Sequence, residues 1–141
     1  MMQTQGVRIL LADNQDTVRA GLRSMLKDRR SWYVCGEADN GVDAVRLADE
    51  LSPDVVVLDL DLNEMDGVDA TRRIKRSRPA RHVLIFTDDV NEYRIRRVLA
   101  AGATGFVLKS DGGGWSKPSQ VFCITKRFLP RPPQKPFSTV F

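Results

Sequence analysis

The amino-acid sequence predicts an α/β protein: a doubly wound sheet of five parallel strands. Three observations carry this reading. Short apolar runs alternate with longer stretches in which apolar residues recur at helical spacing. The runs lack a polar face, as strands buried on both sides do. The stretches between them are long enough for the right-handed crossovers that parallel strands require.

Residues 7–12 (VRILLA) form the first apolar run. Val18, Leu22, Met25 and Leu26 then recur as the inner stripe of a helix, with Asp16 at its start. Residues 32–38 read as a second strand, and Val42, Val45, Ala48 and Leu51 as the stripe of a second helix. Ser52-Pro53 ends that helix, because the residue before proline is pushed out of the α region. Residues 54–59 form a third strand, residues 68–76 a helix that stops before Pro79, and residues 83–86 a fourth strand. Residues 93–101 form a fourth helix with Ile95, Val98 and Leu99 inward and Gly102 as its C-terminal cap. Residues 104–108 complete the sheet, with Phe106 in the core or in a moving part.

The chain divides into a short extension, residues 1–6, a domain, residues 7–110, and a tail of a different kind, residues 111–141. Five of the seven prolines and the triplet Gly112, Gly113 and Gly114 lie in that tail. Val121, Thr125, Phe128 and Leu129 stand at helical spacing, so a short fifth helix near residues 119–129 is one expectation. The strand formers in the same stretch make the other. The net charge of +4 also belongs to the tail: residues 1–110 hold 17 Lys and Arg against 17 Asp and Glu, and residues 111–141 hold 5 against 1. A basic total therefore does not imply nucleic-acid binding, and the cluster Arg72, Arg73, Lys75, Arg76, Arg78 and Arg81 reads as a solvated helix face and its exit turn. No apolar run approaches the roughly 20 residues of a membrane span, and the start MMQTQGVR lacks the apolar stretch of a signal peptide, so a cytoplasmic protein is expected. Cys35 and Cys123 lack metal-ligand spacing and read as small buried apolar residues without a disulfide.

The chemistry lies at the strand ends. Asp13 with Asn14, Asp59, Thr87 and Lys109 each follow or close an apolar run, and parallel strands put those ends on one edge, where open α/β sheets bind ligands. Each residue alone is as readily a polar cap or a surface charge; their joint placement points to phosphoryl chemistry. An aspartate can attack phosphorus and carry the group as an acyl phosphate. Two carboxylates about 4 Å apart repel by about 4 kcal/mol at an effective dielectric constant near 20, which favours a bound cation. Magnesium suits such oxygen ligands. Asp59 is the candidate nucleophile, Asp13 the main carboxylate for the metal, and Lys109 and Thr87 the partners of the phosphoryl oxygens. His82, the single histidine, follows Arg81 at the start of a strand and reads as packing or surface.

Four segments, ILLADNQDTVRAGL, PDVVVLDLDLNEMDG, VLIFTDD and AGATGFVLK, resemble the receiver domain of two-component response regulators, most closely the NarL/FixJ group. The resemblance implies a flavodoxin-like strand order of 2-1-3-4-5 and phosphorylation of Asp59 by a partner histidine kinase. It also implies that the main-chain carbonyl of Asp61 joins Asp13, Asn14 and Asp59 around Mg2+, and that Thr87 and Phe106 move together as the switch. Such receivers are phosphoacceptor switches, not metabolic enzymes, and often dimerise.

The chain also departs from that pattern. Asn14 stands where a second acid is usual, Asn63 replaces a proline in the loop after Asp59 and is expected to loosen it, and Ser110 replaces the proline after Lys109. Asp88 adds a negative charge beside Thr87, where the family favours a small residue. Nothing after Ser110 resembles a helix-turn-helix output domain, so direct DNA binding is not expected. Two alternatives are a non-phosphorylated pseudo-receiver that only binds partners, and an aspartyl-phosphate phosphatase that uses Asp61 as acid and base. The second needs an acidic pair after Lys109, and only Asp111 follows. A flavodoxin fits less well, since the loop after residue 12 lacks a hydroxyl- and glycine-rich phosphate cradle. If Asn14 weakens the metal site by its missing charge, Asn14→Asp will tighten magnesium binding; an unchanged magnesium titration would remove that idea.

Overall fold

A computed structural model describes residues 6–27, 31–88, 91–108 and 121–123. The apolar runs become β1 (Val7–Ala12), β2 (Trp32–Ala38), β3 (Val55–Leu58), β4 (His82–Thr87) and β5 (Gly105–Leu108). The amphipathic stretches become α1 (Asp16–Leu26), α2 (Gly41–Leu51), α3 (Gly67–Ser77) and α4 (Glu92–Ala100). The five strands pair in parallel in the order β2-β1-β3-β4-β5, as expected.

Side chains that alternate along the central strands fill two cores, one on each face of the sheet. Leu10, Val56, Leu58, Val83 and Ile85 pack with Val68 and Ile74 of α3 and Ile95 and Val98 of α4. Ile9, Leu11, Val55, Val57 and Phe86 pack with Leu22 and Leu26 of α1. Burying β3 on both faces fixes its register against both neighbours. Ile9 through Ala12 pair with Val55 through Leu58, which in turn pair with His82 through Ile85.

The helix ends follow their local chemistry. Asn40 caps α2 by accepting from the Asp43 amide at 2.8 Å. Asp66 caps α3 by accepting from the amides of Val68 and Asp69, both at 3.0 Å. Ser52 closes α2 in the left-handed region at φ 49°, outside the α region as its following proline demands. Gly102 ends α4 at φ +117°, a backbone shape that favours glycine.

Two sequence expectations are corrected. Val42 is not part of the inner stripe of α2: it is exposed, and the buried positions are Gly41, Ala44 and Ala48. Small residues let α2 lie close to the sheet, which the spacing of the larger apolar residues does not reveal. The basic cluster after α3 is not wholly a solvated face. Arg81 is only 3% exposed, and its Nε donates to the Pro53 carbonyl at 3.0 Å. Lys75 is half-buried and its Nζ donates to the carbonyls of Pro79 and Arg81, both at 2.7 Å. Burial lowers the pKa of both Arg81 and Lys75.

In the tail, where helix and strand were both expected readings, residues 121–123 form a strand, β6 (Val121–Cys123), antiparallel to β5. Valine and phenylalanine favour the strand, and β5 would otherwise be an open sheet edge. The rest of that stretch lies outside the described residues. Cys35 is half-buried, with a free thiol that burial pushes up in pKa. Among the described residues, no helix is long and apolar enough to cross a membrane.

Replacing the α3 cap is expected to show how much the loop before it relies on the helix start. Asp66→Ala should cost about 1 kcal/mol in urea unfolding, whereas Asp66→Asn should retain most of it.

Candidate functional site

The register carries β1 and β3 to a common edge. Ala12 pairs with Leu58, so Asp13 and Asp59 leave neighbouring strands, whose axes lie about 4.8 Å apart, at the same level. Their amides extend the ladders: Asp13 donates to Ala38 at 3.1 Å and Asp59 to Ala12 at 3.0 Å. Both side chains are buried, Asp13 at 2% and Asp59 at 4% exposed. Two buried carboxylates on adjacent strand ends do not pack a core, and holding them together is unfavourable without positive charge nearby.

The carboxylates are held by backbone donors. Asp13 Oδ1 accepts from the Gln15 amide at 2.9 Å, and Asp59 Oδ1 accepts from the Asp61 amide at 3.3 Å. Arg19 of α1 donates to the Asp13 carbonyl at 2.5 Å and to Glu37 at 2.9 Å, tying α1 to the ends of β1 and β2. Asn14, next to Asp13, and Asp88, next to Thr87, are exposed.

Thr87, the last residue of β4, is fully buried. It pairs with Leu108, the last described residue of β5; Lys109, expected at the site, lies outside the described residues. Phe106 is buried in the core shared with Ile95 and Val98 and pairs with Ile85. The fold thus brings Asp13, Asn14, Asp59, Asp61 and Thr87 to one edge, with Phe106 inside the sheet beneath it. Among the described residues no group of three or more His, Cys, Asp and Glu is arranged to hold a metal, so the acid pair would have to draw on amide and main-chain oxygens.

The loop after Asp59 is shaped by two close approaches. A Cβ at Gly67 would lie 2.6 Å from the Asp59 carbonyl oxygen and 2.6 Å from Leu60 Cα. A Cβ at Gly41 would lie 2.1 Å from the Met65 carbonyl oxygen. Only glycine lets α2 and α3 press on the loop this closely. Asn63 tightens it further: its carbonyl accepts from Gly41 at 3.0 Å and from Met65 at 2.7 Å, and it bridges to Asn40. These bonds run through the backbone carbonyl of residue 63, which a proline would supply equally, so they hold the loop whichever residue stands there. Glu64 turns the loop at φ 66°.

One site residue was not anticipated. Arg94, in the first turn of α4, places Nη2 3.0 Å from Asp61 Oδ1 and 3.4 Å from the Leu60 carbonyl. A cation near a helix N-terminus opposes the helix dipole, but that pattern does not identify its partner, which lies on a distant segment.

Comparison with known proteins gives the same picture. A family profile described as the response regulator receiver domain matches residues 9–112. The chain is 38% identical over 104 residues to the transcriptional regulatory protein LiaR of Bacillus subtilis, covering 74% of this chain and 49% of LiaR. It is 38% identical over 106 residues to the response regulator GacA of Pseudomonas aeruginosa, covering 75% of this chain and 50% of GacA. The chain thus spans about half the length of these relatives. Among solved structures, a LuxR-family two-component response regulator from Aurantimonas matches with a TM-score of 0.72 and 37% identity, covering 77% of this chain and 78% of the other. The signal receiver domain of the putative response regulator NarL from Mycobacterium tuberculosis matches with a TM-score of 0.74 and 28% identity, covering 80% and 91%.

Gly67→Ala is expected to lower stability by about 1–3 kcal/mol in urea unfolding, because the new methyl must displace backbone rather than a flexible side-chain end. An unchanged midpoint would mean that the contact between Gly67 and Asp59 relaxes freely.

Proposed function

This chain belongs to the response regulator receiver family, and from that premise we propose that Asp59 receives a phosphoryl group from a partner histidine kinase. Membership makes the domain a phosphoacceptor switch of two-component signalling. The observation that carries the assignment to Asp59 is its position: a buried carboxylate at the end of the central strand, beside a second buried carboxylate on the neighbouring strand.

In the proposed step, an Asp59 carboxylate oxygen attacks the phosphorus of a phosphohistidine. The bond from phosphorus to imidazole nitrogen breaks, its electrons stay on the imidazole, and an acyl phosphate forms. The Asp61 amide donates to Oδ1 of Asp59 at 3.3 Å, which helps to orient the carboxylate. Lys109 would pair with the transferred oxygens, and Thr87 would hydrogen-bond to them.

The donor set suits Mg2+: the carboxylates of Asp13 and Asp59, the amide oxygen of Asn14 and the main-chain carbonyl of Asp61 are hard oxygen ligands. When bound, the cation would offset the negative charge that Asp13, Asp59 and a phosphoryl group bring together. With Asn14 in place of an acid, two carboxylates supply the charge, which predicts weaker binding than three would give.

Thr87 and Phe106 are the proposed switch. Thr87 ends β4, and Phe106 on the adjacent strand packs with Ile95 and Val98 of α4, so a movement of either reaches the α4 and β5 surface. That surface is where a kinase-dependent partner, or a second copy in a homodimer, would read the state of Asp59.

Asn14 also favours a second reading, in which the domain binds partners without being phosphorylated. Intact mass after incubation with acetyl phosphate and magnesium separates the two. One added phosphoryl group, absent in Asp59→Asn, is expected; no adduct on a folded protein in excess magnesium would favour the second reading.

A further inference from the structure

The Arg94 guanidinium spans from α4 to the loop that follows Asp59. Its backbone amide is already used by the helix cap, where Asn91 Oδ1 accepts from it at 3.0 Å. The side chain is 29% exposed and meets Asp61 Oδ1 at 3.0 Å while also reaching the Leu60 carbonyl. The Asp61 amide in turn donates to Asp59 Oδ1. An unbroken chain of polar contacts thus runs from α4 through Asp61 to the carboxylate proposed to take the phosphoryl group. A cation in the first turn of α4 works against the helix dipole, so helix stability does not account for it.

We infer that Arg94 is a positioning residue for phosphoryl transfer: its ion pair with Asp61 straps α4 to the loop, fixing the Asp61 backbone whose amide donates to Asp59 and whose carbonyl would be a ligand of the proposed cation. This rests on the phosphoacceptor reading of Asp59. The strap acts through Asp61 and not on the incoming donor. Removing either end therefore has the same consequence, a less ordered loop, a weaker cation site and slower transfer. Removing both ends costs little more than removing one. The same contact links the chemistry to α4, so formation of the acyl phosphate and the arrangement of the first turn of α4 are coupled.

The test is a double-mutant cycle in the full chain with Arg94→Ala, Asp61→Asn and the pair, plus Arg94→Lys. Each protein is read twice: by magnesium titration of its amide NMR shifts, and by its rate of phosphorylation from acetyl phosphate. Thermal unfolding confirms that each remains folded. Arg94→Ala and Asp61→Asn should each weaken magnesium binding and slow transfer about two- to fivefold, the range an ion pair of this exposure supports. The double variant should match the singles, and Arg94→Lys should recover only part of the loss. If Arg94 instead steers anionic donors, the two singles will move the rate in opposite directions, Lys will restore it fully and the magnesium midpoints will stay put; that pattern overturns the strap. Additive losses also overturn it. If the wild-type chain takes no phosphoryl group but the midpoints shift together, the strap stands and the assignment of Asp59 as acceptor falls.

Discussion

Everything at the functional edge depends on the parallel ladder that joins β1, β3 and β4. Apolar side chains on both faces of β3 leave one pairing that buries them all, and that pairing sets Ala12 beside Leu58 and Leu58 beside Ile85. Asp13 and Asp59 are then neighbours by construction, since each is the first polar residue past its strand. Shifting the register by a single residue would draw Asp54 or Asp59 into the sheet interior and separate the acids. The chemistry of the site and the stability of the core are therefore one constraint.

A second level of order comes from the loops, which the ladder alone does not fix. Gly41 and Gly67 admit α2 and α3 against the segment after Asp59, and Asn63 pins that segment through its carbonyl. Arg19 holds the Asp13 carbonyl from α1. Tight glycine contacts and backbone hydrogen bonds give the acid pair a rigid setting in which charge can be placed before any ligand arrives. Arg94 adds the remaining connection, from the same loop to α4.

What was legible in the sequence and what was not divide along physical lines. The strands and the candidate residues Asp13, Asp59 and Thr87 were legible because an apolar run ending on a polar residue is a local pattern. The cap role of Gly102 was legible for the same reason: a helical stripe ends there. The inner face of α2 was misread in part: Val42 is exposed, Ala48 is buried as expected, and Ala44 was passed over because a small residue carries little hydrophobic signal. Arg81 looked like one more surface cation, and its burial depends on the Pro53 carbonyl 28 residues earlier in the chain. The pair of Arg94 and Asp61 is similarly long-range, and the stretch containing β6 supported helix and strand patterns equally until the open edge of β5 was available to choose between them. Contacts between distant segments are set by the fold, so local patterns do not report them.

The proposed cation-binding phosphoacceptor centre at Asp13 and Asp59 rests on the adjacency of two strand ends. The most direct test is a magnesium titration of the isotope-labelled chain by amide NMR, run beside Asp13→Asn. Shifts are expected to concentrate at Asp13, Asn14, Asp59, Leu60 and Asp61, and to be lost or markedly weakened in the variant. Shifts confined to exposed acids elsewhere, or an identical titration in the variant, would contradict it.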